Sequence, residues 1–363
     1  MTGPIGVGII GANPGRGWAH MAHVPALQSL DRYRIVAVAT RSIESATATA
    51  ASLGCSLAFD DPQALACHPD VDLVVVTVKV PAHYDLVRIA LDAGKHIFCE
   101  WPLASSTAQA EELLALAEKR GVRHAVGLQG RLSATVAHVR ELVAQGYVGE
   151  LLSCSVIGSG LAWGAAIDEA NSYLLDVASG ATMLTIPVGH FLDTAVSLLG
   201  PVEPVAALIT QRRRTSRIVE TDVTAPMTAP DQIMVEATTG QGAPLSVHFR
   251  GGLSKATNLH WELNGTEGDL LLTAATGHVQ MSALELRGAR GTDESLSLLE
   301  LPAHLQSPPE AGLTPMVQNV RRLYELLASD ILDGTALAPG FEAALANHRL
   351  IDRIRALAAK SAG

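Results

Sequence analysis

The stretch FCEWPLASS, residues 98–106, closes an apolar run (HIFCE, 96–100) on a carboxylate, Glu100, and continues through Trp101 and Pro102 into Ser and Thr residues able to cap a helix. In an open α/β sheet the carboxyl ends of the strands border the ligand crevice. Glu100 there can carry charge or accept hydrogen bonds. Trp101 donates one hydrogen bond and has no proton to exchange near pH 7, so it cannot act as acid or base. A second constellation is the turn GANPGRGWAH, Gly11–His20, directly after the apolar run IGVGIIGA. Glycines between a first strand and a helix let backbone approach a pyrophosphate and aim N–H groups at it. The spacing departs from G-x-G-x-x-G, with Asn13 where a second glycine would stand, so an ordinary tight turn is also open. At the end of the next apolar run come Thr40, Arg41 and Ser42, with no carboxylate to hold a ribose 2′-hydroxyl. A basic residue there suits a 2′-phosphate, which favours NADP(H) over NAD(H); the other reading of Arg41 is a surface turn.

These residues need a parallel sheet to bring them together. Apolar runs at YRIVAVAT (33–40), VDLVVVTVKV (71–80), HIFCE and HAVGLQG (124–130) alternate with helical segments, the pattern of a doubly wound sheet buried on both faces. The segment from Ser106 carries Gln109 at capping-box spacing and reaches Gly121 in a C-cap position. Beyond residue 130 the pattern changes. After the helix ATVAHVRELVAQG come LLSCSVIG, QIMVEATT, PLSVHFRGG and NLHWELNG, which read as antiparallel strands; then a loop, SPPEAGLTP (307–315), and two amphipathic helices, MVQNVRRLYELLASDIL and FEAALANHRLIDRIRALAAK. The expected organisation is α/β: a Rossmann domain over 1–128 and an α+β domain with a large, mostly antiparallel open sheet over 129–363, whose last helix can pack back on the first.

With 363 residues, the chain is long enough for two cores. Its net charge of −10 and pI near 5.7 argue against a broad nucleic-acid face; the one basic run, QRRRTSR (211–217), reads as a solvated loop. Four scattered cysteines suggest neither zinc site nor disulfides and fit a reducing cytoplasm. No uncharged stretch reaches a membrane span.

Several segments in order resemble the glucose-fructose oxidoreductase, inositol dehydrogenase and MocA (Gfo/Idh/MocA) family: the glycine turn, PAHYDLV (81–87), GKHIFCEWPLA (94–104), GLQGR (127–131) and GATMLTIPVGHFLD (180–193). Within it, GWAH, EWPLA, LQGRLS, ELVAQGYVGEL, FRGG, NGTEGDL, NVRRLYE and HRLID resemble the branch of the fungal galactose/lactose regulatory proteins. The resemblance implies a site between the two domains. It implies a cofactor-binding set of Gly11, Asn13, Gly15, Arg16, Gly17, Trp18, Thr40, Arg41, Ser42, Val78, His83, Glu100 and Trp101, with Glu100 near the nicotinamide ribose and His83 either on the cofactor or only starting a helix. The family's lysine position holds Trp101, which removes the usual acid-base group. The family's Asp falls near Thr185 with one extra residue before His190, leaving His190 as the candidate acid-base residue. Gln129 and Arg131 are implied as binders of substrate hydroxyls or a carboxylate. Trp101, Trp163 and Tyr173 line the expected substrate region, the tryptophans as a sugar platform or as packing. A homodimer or tetramer is implied as well.

Two functions follow. The first, favoured here, is an NADP(H)-dependent oxidoreductase of a sugar or related carbonyl or imine; the alternative is a catalytically silent dinucleotide-binding sensor that regulates a protein partner. No metal, nucleic acid or membrane partner is expected.

Overall fold

The computed structural model describes residues 3–306 and 312–361; the loop expected over 307–315 falls largely outside them. The first part of the chain runs β1 (Ile5–Ile10), α1 (Val24–Gln28), β2 (Tyr33–Ala39), α2 (Ile43–Leu53), β3 (Leu57–Phe59), α3 (Pro62–Cys67), β4 (Leu73–Val76), α4 (His83–Asp92), β5 (His96–Cys99), α5 (Thr107–Arg120) and β6 (His124–Val126). All six strands are parallel, in the order β3-β2-β1-β4-β5-β6. That is the doubly wound dinucleotide order, with its topological switch point between β1 and β4. The continuous apolar runs have the expected cause: every residue of β1 and β4 is buried, and each such aliphatic side chain contributes roughly 1.5–3 kcal/mol. Ser106 caps α5, accepting from the Gln109 N–H at 3.3 Å, while the Gln109 side chain accepts from the Ser105 N–H at 3.2 Å. Gly121 ends the helix in the left-handed conformation. β3, too short to show a pattern, was not foreseen.

The second part runs α6 (Ala134–Ala144), β7 (Leu151–Gly160), β8 (Ala166–Ile167), α7 (Gly189–Leu199), β9 (Val202–Thr210), β10 (Thr215–Ile218), β11 (Thr224–Pro226), β12 (Gln232–Thr239), β13 (Pro244–Gly251), β14 (Leu259–Gly265), β15 (Gly268–Ala274), β16 (Glu285–Arg290) and β17 (Ser297–Leu298). Eight of these strands form one sheet, β17-β16-β15-β14-β7-β13-β12-β9. It is mixed rather than wholly antiparallel, because β7 pairs parallel with β13. Side chains alternate: Ile233, Val235 and Ala237 of β12 and Leu245, Val247 and Phe249 of β13 are buried. Phe191 of α7 packs on this face, its ring 5.1 Å from Trp261 and 5.9 Å from Phe249. The basic run is loop through Arg214 and then strand β10.

Two helices complete the chain, α8 (Pro315–Asp333) and α9 (Phe341–Ser361). The chain divides into two compact units: one holds the described residues through Gln129 together with 312–348, and the other holds 130–306 and the remainder of α9 from Arg349. Within the first unit, α8 packs on α1.

Candidate functional site

The carboxyl ends of β1, β2, β4, β5 and β6 gather the candidate residues of the first unit. Beyond β1, Gly11 adopts φ +98°, and a Cβ there would lie 2.6 Å from Val78 Cγ1, so only glycine fits. Asn13 and Arg16 bridge a tight turn over Pro14 and Gly15, with Gly15 at φ +72°. Pro followed by a positive-φ Gly is the pair that a type II turn requires. This turn accounts for the broken glycine spacing: Asn13 anchors it, donating from Nδ2 to Gly11 O at 3.4 Å. Trp18 leads into a helical turn at Ala19–His23 that continues as α1, and its indole N–H is buried without a partner. Open backbone, glycines and a helix start after the first strand are what a pyrophosphate would meet, so the segment fits a dinucleotide.

At the end of β2, Thr40 and Ser42 are spent locally. Thr40 donates to Ser42 O at 3.0 Å, and Ser42 Oγ caps α2 by accepting from the Ser45 N–H at 3.3 Å. Arg41 is exposed and outside every ion pair among the described residues. His83 starts α4, and its ring nitrogens lie 2.7 Å from Pro102 O and 2.9 Å from Val78 O. Burial lowers its pKa while the two carbonyls pull the other way. The neutral ring has one N–H and donates it to one of the two carbonyls, so His83 sits between the Glu-Trp-Pro turn and the end of β4.

Glu100 is held through one carboxylate oxygen. His23 Nε2 lies 2.9 Å from Glu100 Oε1, and His23 Nδ1 lies 2.7 Å from the Tyr324 hydroxyl. Burial first, then the charges of Tyr33 and Glu100, push the Tyr324 phenol far above its usual pKa. A carboxylate oxygen can only accept, so the Nε2–H donates to Glu100, and the Nδ1 of a neutral ring accepts from the Tyr324 hydroxyl. Gly127, beside Glu100 through its N–H to Cys99 O at 2.9 Å, leaves room for the carboxylate. Trp101, joined to Pro102 by a cis peptide, is 4% exposed and packs on His348 of α9 with ring centroids 4.7 Å apart. The contact with His348 is a packing contact within this unit. Gln129, at the turn after β6, is 1% exposed with both carboxamide atoms unpartnered.

In the second unit, Arg131 is paired with Asp193. Its Nε donates to Asp193 Oδ2 at 2.9 Å, and a second, shorter contact joins Nη2 to Oδ1. Asp193 is buried; that burial raises its pKa, and the Arg131 guanidinium opposes the rise. His190, 5% exposed on the same helix, has an unpartnered buried Nδ1. Burial, and then the neighbouring His278, lower its pKa to about 3. The near-neutral value suggested by residue type does not hold, and the ring stays uncharged at pH 7. Thr185, at the expected Asp position, donates to Gly180 O at 2.7 Å and accepts from the Thr182 N–H at 2.8 Å. The extra residue before His190 is taken up by a wide helical turn over Leu184–Val188 containing Pro187. Trp163 is 1% exposed and donates to Leu174 O at 2.9 Å, a packing role. Tyr173 is half-buried, and burial raises its pKa.

His23, Tyr324, Gly127, Asp193 and His278 were not foreseen. Asp193 had a readable signal, since it is the one charge in the apolar stretch 182–201 and a buried lone carboxylate needs a partner. His23 and Tyr324, about 300 residues apart in sequence (|i−j| of 301), had none.

Residues 5–128 match a family described as the oxidoreductase family with an NAD-binding Rossmann fold, and residues 134–274 match the C-terminal domain of Gal80p. The galactose/lactose metabolism regulatory protein GAL80 of Saccharomyces cerevisiae is 30% identical over 358 residues, 90% of this chain and 82% of that protein. GAL80 of Kluyveromyces lactis is 31% identical over 304 residues, 78% of this chain and 66% of its own length, just under two thirds. Dehydrogenase aclE of Aspergillus oryzae is 31% identical over 283 residues, 74% of this chain and 77% of that protein. In structure, a super-repressor mutant of Gal80p from Saccharomyces cerevisiae superposes with a TM-score of 0.89 at 27% identity, covering 99% of this chain and 97% of that one. The parallel sheet, the mixed sheet and these matches agree: the chain belongs to the Gfo/Idh/MocA family of NAD-binding, Rossmann-fold oxidoreductases, near Gal80.

Proposed function

We propose that this protein binds a nicotinamide dinucleotide and a sugar-like small molecule, and that it acts as a ligand-reading regulatory protein in which acid-base catalysis is silent. The observation that carries this reading is the packing of Trp101 on His348 in the place where the family motif carries its lysine. Two further groups support it: Arg131 is neutralised by Asp193, and His190 is uncharged at pH 7. A hydride acceptor that receives no proton gains little from positioning alone. Regulation would work by population shift, the bound dinucleotide favouring one state recognised by a protein partner. The test is binding against turnover: dinucleotide affinity by fluorescence, alongside NADP⁺ reduction and NADPH oxidation over a panel of aldoses, sugar acids, lactones and cyclic imines.

NADP(H) is the preferred cofactor in this proposal, supported by Arg41 standing alone and exposed where an NAD-selective fold places a carboxylate. The working form is a cytoplasmic homodimer or tetramer, to be checked by light scattering; among the described residues no helix is long and apolar enough to cross a membrane.

One observation favours an oxidoreductase as a second reading. His190 Nδ1 is buried without a partner, and a neutral imidazole can donate to a carbonyl oxygen during hydride transfer. Similarity to dehydrogenase aclE supports the same reading. Loss of turnover in His190→Ala would establish it.

A further inference from the structure

Gln129 is almost wholly buried, 1% exposed, yet neither Oε1 nor Nε2 meets a hydrogen-bond partner in the chain. Native proteins pair nearly all such groups, because an unpaired buried amide weakens the fold without return. Its position gives the exception a purpose. Gln129 follows β6, whose last residue is Val126, and the pairing of β5 with β6 continues past both strands through the Gly127 N–H to Cys99 O. Glu100 is thereby fixed against Gly127 at the same sheet end. In a doubly wound sheet the second half, β4 to β6, takes the second mononucleotide of a dinucleotide, and any ligand reacting or stacking there lies beside it.

A carboxamide offers one acceptor and one donor side by side. Its complement must offer a donor and an acceptor in the same arrangement, as a primary carboxamide or a vicinal diol does. A phosphate or ionised carboxylate offers only acceptors and leaves Oε1 unpaired. We propose that Gln129 is a ligand-reading residue, whose buried carboxamide pairs with an adjacent donor and acceptor on the ligand: the carboxamide of the nicotinamide ring, or a vicinal diol of a sugar-like molecule. The assignment rests on the dinucleotide and sugar reading above, and it names what is read at that end of the sheet.

The test compares ligands that keep or lose the group, by titration calorimetry on the full chain. One arm sets NADP⁺ against its 3-acetylpyridine analogue, in which a methyl replaces the amide nitrogen. The other sets D-glucose against 2,4-dideoxy-D-glucose, whose ring keeps no vicinal diol. Each is repeated in Gln129→Leu, with Tm recorded. The expected result is a wild-type preference of about tenfold for the intact ligand in one arm, abolished in Gln129→Leu, with Tm unchanged or raised because two unpaired atoms are gone. Equal wild-type affinities within both pairs overturn the assignment whatever the variant does. A variant with lowered Tm and undiminished wild-type-like discrimination overturns it too, by making Gln129 structural. The dinucleotide reading itself fails separately, if wild-type protein binds neither NADP⁺ nor 2′-phospho-ADP-ribose, which lacks nicotinamide.

Discussion

A Cβ at residue 127 would sit 2.6 Å from both carboxylate oxygens of Glu100, so Glu100 and Gly127 occupy their positions only together. Gly127→Ala must push the carboxylate away and break its 2.9 Å contact with His23. The expected outcome is loss of dinucleotide binding, measured by fluorescence, with a stability loss of about 1–3 kcal/mol by urea denaturation, the scale of overpacking. Full binding in this variant would show that Glu100 need not stand where it does.

The Arg131–Asp193 pair makes a second forecast. Removing one partner strands the other: Arg131→Met leaves Asp193, its side chain 2% exposed, without its cation. A loss of about 3 kcal/mol is expected for the single variant. Arg131→Met with Asp193→Leu should recover most of it, since a well-packed apolar pair can replace a buried ion pair. Equal stability of single and double variants would contradict the pairing as the source of the cost.

Acid should weaken the fold through two rings. Burial holds His190 at about 3 and His278 at about 4, whereas in the unfolded chain both titrate near 6.5. Their folded values are depressed, so between roughly pH 6.5 and 4 the unfolded chain binds more protons, and stability falls as pH falls. The slope is about 1.4 kcal/mol per pH unit for each ring. Urea midpoints at pH 7, 6 and 5 should decline, and the decline should be shallower in His190→Gln. An unchanged slope in that variant would place the acid sensitivity elsewhere.

The Rossmann sheet was legible because its strands, buried on both faces, must be continuously apolar; IGVGII and LVVV admit little else. The mixed sheet was legible in kind but not in pairing. Alternation in PLSVHFRG shows one buried face, but nothing local says that this strand lies parallel to β7. At the site, glycine turn, Glu100 and Trp101 could be read because strand ends announce themselves. The partners of those residues could not. Arg131 looks like a free cation until Asp193 is brought to it, and His190 looks like a neutral-pH base until burial is counted.

Cofactor choice turns on Arg41, whose neighbours Thr40 and Ser42 are engaged in the local turn. Arg41→Asp should exchange NADP(H) preference for NAD(H), weakening NADP⁺ by about tenfold or more as attraction to the 2′-phosphate becomes repulsion. Competition titrations of both dinucleotides on wild type and variant measure this. A wild-type preference for NAD⁺ would contradict the role given to Arg41.

Turnover measured beside binding in one preparation bears most directly on the regulatory reading. Wild-type protein should bind NADPH and show no oxidation or reduction across the sugar, sugar acid, lactone and imine panel. Trp101→Lys, which puts an ammonium beside the ring of His348, should gain measurable turnover. Wild-type turnover that disappears in His190→Ala would contradict the regulatory reading and make the protein an oxidoreductase working through His190.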